Sequence, residues 1–451
     1  MRLLHTADWH LGRIFYGASL LEDQAVALDG FCALAADLRP DAIVIAGDVY
    51  DRSVPPPEAV TLLDDTLTRL LMETGVPVVL VAGNHDNAAR LAFGRRMLAE
   101  RGLHIAGLVE SRCASVELAT PSGPVRIWAL PHADPPEVAC ALCDDEARGH
   151  EAAMAARLAE VRQRAVLGVS AGKGAEATPA DSAATEPRQL RFETAAGSPV
   201  RHIVVAHAFV AGGRESESER PLSVGGTGQV SAELFRGFDY VALGHLHRPQ
   251  SVSRPGIRYA GSLLKYSFDE HDHRKSVTLV EIGADGGISV EEHELPRRRD
   301  VRKISGYLED LLRGGPAPGA AAAAGGGAGR SATTTAPAAT GLPGRAAGAE
   351  PAGAAPLARD DYLWVDLLDE LPVPSPLERL RSVYPNVRYA ARVKAAVIPG
   401  SGPGPGPIRA MGLTELFERF FADTNEAPLT AEAQAALRDL VEEFEQKRRS
   451  A

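Results

Sequence analysis

The sequence predicts an α/β fold, and two observations predict it. Five apolar runs of strand character recur through the first 250 residues or so, each followed at once by a short polar cluster, and the stretches between the first three have helical periodicity. Leu3-Leu4 leads to Asp8-Trp9-His10, Ala42 to Ala46 leads to Gly47-Asp48, and Val78 to Val81 leads to Gly83-Asn84-His85-Asp86. Ile203 to Val205 then leads to His207, and Tyr240 to Leu243 to Gly244-His245-Leu246-His247. Strands joined by helices lie side by side and parallel, and ligands bind beyond their carboxyl ends. The five clusters are therefore expected to converge on one site.

Each cluster has a bland explanation. Gly-Asp after a strand is turn chemistry, Asn-His-Asp can cap a helix, and a histidine at a strand end is usually hydrogen-bonded. Together, however, Asp8, His10, Asp48, Asn84, His207, His245 and His247 offer two carboxylates, one amide oxygen and four imidazoles, with no thiolate. That donor set suits Mn²⁺, Fe²⁺ or Zn²⁺ better than Ca²⁺, and it is large enough for two divalent ions.

A chain of 451 residues is too long for one ordinary core, so two or three folded units are expected. With 45% apolar residues and no apolar run of membrane-spanning length, it reads as a soluble protein. The N-terminus runs straight into strand and candidate ligand, which leaves no room for a signal peptide and makes the cytoplasm the expected compartment. Cys140 and Cys143 form a C-x-x-C, but Cys32 and Cys113 are isolated and no second pair completes a zinc site, so the cysteines read as incidental.

Organisation is legible in composition. Met1 to about Pro296 alternates strands with helices and later strand pairs, interrupted between Asp144 and Val200 by an insertion. The insertion is Ala-, Glu- and Arg-rich and helical through about Val166, then Gly/Ala/Thr/Pro-rich from Gly168 to Ser198, where a mobile loop is expected. From Asp300 to about Ala396 a small α/β unit is expected: a strand near Val301, a helix from Ser305 to Leu312, a strand from Tyr362 to Leu368, a helix around Pro376 to Val383 and a strand from Val387 to Val393. Arg313 to Arg359, inside that unit, is nearly all Ala, Gly, Pro and Thr and is expected to be disordered. Beyond a Pro/Gly tract, from about residue 408, Leu416, Phe417, Phe420 and Phe421 form an apolar stripe, and Leu437, Leu440, Val441 and Phe444 a second one at i, i+3, i+4 and i+7. Such helices fold back on the chain or dock on a partner.

The net charge of −11 argues at first against a nucleic-acid enzyme. Metal ions offset the ligand carboxylates, and basic residues cluster locally: Arg297, Arg298, Arg299, Arg302 and Lys303 lie just past the first unit, with Arg388, Arg392 and Lys394 further on. Runs of this kind are solvated faces or DNA contacts, and the first is a candidate DNA contact.

Met1 to Gly12, Ile45 to Asp51, Ala82 to Asp86, Ala242 to His247, and Gly261-Ser262 followed by Ser267-Phe268-Asp269-Glu270 together resemble the calcineurin-like metallophosphoesterases, and within them the SbcD nuclease family. The resemblance covers about the first 295 residues well and weakens beyond, leaving the two low-complexity stretches unmatched. It implies a metallophosphoesterase β-sandwich flanked by helices, a small α/β capping domain and a helical C-terminal tail that binds an SbcC-like ATPase of the SMC type. It also implies two Mn²⁺ ions, one held by Asp8, His10, Asp48 and His247 and the other by Asp48, Asn84, His207 and His245, with Asp48 as the bridge. His85 would lie over the phosphate as acid or hydrogen-bond donor, oriented by Asp86. The implied activity is 3′→5′ exonuclease and endonuclease cleavage of DNA in repair and recombination, by a homodimer within a heterotetramer. Two alternatives remain at this point: a phosphoesterase acting on small phosphodiesters or phosphoproteins, and a non-catalytic scaffold on the same fold.

Overall fold

The computed structural model describes residues 1–170, 192–193, 199–222, 228–283, 285–313 and 359–393, and further on 414, 417–418, 421, 429–437 and 440–441. Most of the Gly168 to Ser198 loop, and all of 314–358, lie outside the described residues. Two sheets stack face to face. In the first, β1 (Arg2–Thr6) lies between Ser276–Ile282 and Ala42–Ala46, and the order continues through Val78–Val81 to Leu103–Ala106. The first three strands that precede a polar cluster are parallel neighbours, as their helical connections require: Leu4 pairs with Ile43 and Ile43 with Val78. In the second sheet, Pro199–His207 lies between Gly123–Leu130 and Tyr240–Gly244 and runs parallel to both. The strands leading to His207 and His245 thus belong to the sheet opposite the one that carries Asp8, Asp48 and Asn84.

Side-chain alternation builds the layers. In the first sheet Leu4, Ile43, Ile45, Val78 and Leu80 face outward, beneath Leu28 and Phe31 of α1 (Leu21–Leu38) and Leu63 and Leu70 of α2 (Pro57–Thr74). Their neighbours Leu3, Val44, Ala46, Val79 and Val81 face inward and meet Ile127, Ile203, Val205 and Ala242 of the second sheet. The outer face of that sheet, with Trp128, Val204 and Val241, is covered by Met154, Leu158 and Val161 of the helix His150–Ser170. Both faces of each central strand are buried, which is why those strands read as unbroken apolar runs. A Cβ at Gly244 would sit 1.8 Å from the carbonyl oxygen of Ala46, so the two sheets approach here at a distance only glycine allows.

The small unit is a three-stranded parallel sheet of Val301–Gly306, Tyr362–Leu367 and Val387–Arg392, with a core of Leu308, Leu311, Leu363, Val365, Leu380 and Val387. The helix expected from Ser305 begins only at Leu308, because Ser305 and Gly306 extend the strand in register with Asp366 and Leu367. The insertion helix runs on to Ser170 rather than ending near Val166. The chain divides into two compact units, Met1–Val393 and Lys394–Ala451, so the expected boundary near Pro296 falls within the first. In the second unit Phe417, Phe421, Leu437, Leu440 and Val441 are helical, while Leu416, Phe420 and Phe444 lie outside the described residues. All four cysteines are free, and among the described residues no helix is long and apolar enough to cross a membrane.

Candidate metal centre

The loops after the strands are tied to one another before any ligand is considered. Asp8 N–H donates to Gly47 O at 3.0 Å, His10 N–H to Asp48 O at 2.9 Å, and His85 N–H to Asp48 Oδ1 at 2.9 Å. The His245 N–H points at the Asp8 carboxylate, 2.9 Å from Oδ1 and 3.1 Å from Oδ2. Asp8, His10, Asp48 and His245 all have positive φ, at 52°, 45°, 49° and 112°. Non-glycine residues seldom adopt this region, and clusters of them mark sites where function fixes the backbone. A Cβ at Gly83 would lie 2.1 Å from Asp48 Oδ1, so glycine is what lets the third loop close on the second.

The side chains then converge. Asp8, His10 and His247 bring donor atoms within 4.8 Å of one another, as do Asp8, Asp48 and His207, and all are buried. Asp48 Oδ2 lies 3.6 Å from His10 Nε2 and 3.6 Å from His207 Nε2, midway between the two groups. His10 Nε2 and His247 Nε2 are 3.1 Å apart, and His207 Nε2 is 2.9 Å from Asn84 Oδ1. These are the separations of donor atoms bound about 2.1 Å from a shared ion. The His245 ring stands edge-on to that of His207 with centroids 5.4 Å apart. The expected ligands are therefore all brought to one place.

Neighbouring groups set the imidazoles. His207 Nδ1 donates to Ala46 O at 2.9 Å, leaving the Nε2 lone pair on the centre. His247 Nδ1 faces Ser218 Oγ at 2.6 Å and Glu270 Oε1 at 3.2 Å, and its backbone N–H donates to Glu219 Oε1 at 2.6 Å. Burial lowers all four candidate ligand histidines, His207 to about 4, which favours the neutral imidazole a metal would need. Burial, with repulsion from Asp48, holds the Asp8 carboxyl well above its ordinary range, and burial raises Asp48 too. Among the described residues no lysine or arginine lies within ion-pair distance of either. Two buried carboxylates facing neutral nitrogens form a site that lacks positive charge, and divalent cations fit it.

Asp86, expected to orient His85, does something different. Its carboxylate accepts the N–H groups of Val49 at 3.1 Å, Tyr50 at 2.9 Å and Gly83 at 2.9 Å, clasping two motif loops together. His85 is oriented instead by Asp51, whose carbonyl lies 2.8 Å from its Nδ1. Against the upward pull of burial, His10 and Arg13 hold the Asp51 carboxyl well below its usual range. Sequence reasoning alone misses Asp51, Arg13, Ser218 and Glu219. For Asp51, as for Glu270, the signal that could have found it is its place inside a family motif.

The expected DNA cluster is engaged internally. Arg299 pairs with Asp23 at 2.9 Å, Arg298 with Glu22, and Arg302 with Asp361 at 2.8 Å, while Arg297 lies 3.9 Å from both Glu294 and Asp300. Only Lys303, 5.5 Å over the Trp364 ring, has no acidic partner among the described residues. Of the four arginines, Arg299 and Arg302 tie the segment to distant, buried carboxylates, while Arg297 and Arg298 remain largely exposed.

The family model for calcineurin-like phosphoesterases matches residues 1–123. The D subunit of the nuclease SbcCD from Staphylococcus epidermidis is 33% identical over 312 residues, covering 69% of this chain and 74% of that protein. A solved structure, TT1561 of Thermus thermophilus, aligns at 14% identity and a TM-score of 0.34 over 64% of this chain and 98% of that one. From the length and identity of the second match, the chain belongs to the SbcD family of calcineurin-like phosphoesterases.

Proposed function

We propose that this protein is an Mn²⁺-dependent DNA nuclease that works with an SbcC-like ATPase in DNA repair and recombination. The carrying observation is Asp48 Oδ2, placed 3.6 Å from histidine nitrogens of both candidate ligand groups, where one carboxylate would serve two ions. Asp8, His10, Asp48 and His247 would hold one ion and Asp48, Asn84, His207 and His245 the other. Two such cations, when bound, neutralise the phosphodiester and lower the pKa of water.

The chain's own residues do the rest. Asp48 would place an anion between two like charges, and Asn84 would supply an oxygen without adding charge. His85 is buried beside these groups, its Nε2 3.9 Å from Asp48 Oδ2, and would give a proton to the leaving sugar oxygen. The helical stripes of the second unit are the elements we assign to the ATPase, and the family relationship favours a homodimer of this chain in the assembly. Compartment follows the same reading, with the complex acting on cytoplasmic DNA.

The test uses the full chain with and without an SbcC-like ATPase from the same organism. Mn²⁺-dependent cleavage of duplex ends and hairpins, stimulated by the ATPase and ATP, is expected. Hydrolysis of bis(p-nitrophenyl) phosphate without any cleavage of DNA would assign the site to small phosphodiesters instead. Ending the chain at Val393 should keep Mn²⁺-dependent cleavage of frayed DNA but lose co-purification with the ATPase; retention of the partner would place the docking element in the first unit.

A further inference from the structure

The first turn of α1 carries two adjacent buried polar residues that point to different parts of the molecule. Gln24 is fully buried, and its Nε2 donates to the carbonyl oxygens of Trp9 at 3.0 Å and His10 at 2.8 Å, while its Oε1 accepts the Gly12 N–H at 3.0 Å. It holds the loop that carries Asp8 and His10. Asp23, 2% exposed, turns the other way: Oδ2 accepts from Arg299 Nη1 at 2.9 Å and from the Tyr362 hydroxyl at 3.1 Å. Arg299 lies on the segment between the sandwich and the three-stranded sheet, and Tyr362 begins the central strand of that sheet. Phe15 packs on the Tyr362 ring at 5.4 Å, and the guanidinium of Arg388 lies 5.3 Å from its centroid.

One helical turn therefore grips both the metal loop and the small domain. The surrounding pairs differ in weight. Arg298 with Glu22 is exposed and screened by water, whereas Asp23 and Tyr362 are buried and Arg299 mostly so, which leaves their charge-assisted hydrogen bonds less screened.

We propose that Asp23 is a positioning residue that anchors the capping domain at a fixed place relative to the metal centre and so favours polymeric phosphodiesters over small ones. This rests on the nuclease reading above. A small phosphodiester needs only the metals and His85, but a strand must also be guided by a wall whose position is set. A wall displaced by about 1 Å misplaces the scissile bond, which costs up to about a hundredfold in rate.

The test compares full-length wild type with Asp23→Asn, which keeps the shape and removes the charge. Three quantities are read: kcat/KM on a duplex DNA end, kcat/KM on bis(p-nitrophenyl) phosphate, and amide hydrogen exchange. The variant should lose about tenfold or more on DNA while staying within about twofold on the small substrate, the spread of independent sites. Exchange should quicken in 301–306 and 362–367 and stay unchanged in 42–46 and 78–81. Equal effects on the two substrates, or unchanged exchange in the small sheet, would overturn the proposal. If Asp23→Asn does not fold, Tyr362→Phe removes one of the two hydrogen bonds and keeps the ring, and the same pattern is required of it at smaller amplitude. If wild type hydrolyses the small substrate but never DNA, the nuclease reading fails, and the exchange measurement alone decides whether Asp23 anchors the domain.

Discussion

His85 Nδ1 is held 2.8 Å from the carbonyl oxygen of Asp51. A carbonyl can only accept, so Nδ1 keeps its hydrogen and the proton to be donated must sit on Nε2 of an imidazolium. Burial works against that form and lowers the pKa of His85, whereas the charge of Asp48, and of an arriving phosphodiester, raises it.

Replacing His85 by Gln should therefore leave Mn²⁺ binding intact and cut kcat by about 10²- to 10⁴-fold, the usual contribution of a placed acid. Calorimetric titration of Mn²⁺ alongside single-turnover cleavage separates the two. Weakened Mn²⁺ binding in the variant would mean that His85 is a ligand rather than an acid.

Asp48→Asn removes the anionic bridge but preserves its shape. Both ions should bind more weakly, and cleavage should be lost at limiting Mn²⁺. Wild-type activity from this variant under those conditions would rule out the shared carboxylate.

The clasp made by Asp86 bears on stability. Truncation to Ala strands three backbone N–H groups that now meet its carboxylate, and each buried donor left unpaired costs about 1–3 kcal/mol. Local relaxation and water recover part of that, so a total loss of about 2–5 kcal/mol is expected in urea unfolding of the metal-free protein. A change below about 0.5 kcal/mol, the range of surface substitutions, would show that the clasp is not needed.

The candidate ligands are legible in sequence because their chemistry is local to strand ends: each donor follows an apolar run, and parallel strands gather their ends without further instruction. Residues that act through long-range contacts are not. Nothing near Arg299 in the sequence reveals that it meets Asp23, 276 positions earlier. Asp86 misleads for a similar reason. Its nearest chemical neighbour in sequence is His85, but the turn aims its carboxylate at the backbone of Val49 and Tyr50. At Ser305 and Gly306 helical pattern loses to pairing with a strand that lies beyond the low-complexity stretch. The two sheets themselves cannot be told apart from one, because strands buried on both faces look alike in either arrangement.

The pH dependence of stability can be read from two buried histidines outside the candidate metal centre, His202 and His5. Trp128 Nε1 can only donate, and it lies 3.0 Å from His202 Nδ1, so that nitrogen must carry a lone pair in the native state. Burial, with Arg126 nearby, lowers His202 to about 4, and burial, with Arg258, lowers His5 to about 3. In the unfolded chain both titrate near about 6.5. Between these values the unfolded state binds the extra protons, so stability is complete above about pH 6.5 and falls as pH drops, by up to about 1.4 kcal/mol per pH unit for each histidine. Unfolding midpoints measured in chelator from pH 7.5 to 5 should show this slope, with His202→Gln reducing it by close to one proton. An undiminished slope in that variant would mean that His202 is protonated in the native state, and that the Trp128 contact is not the hydrogen bond described.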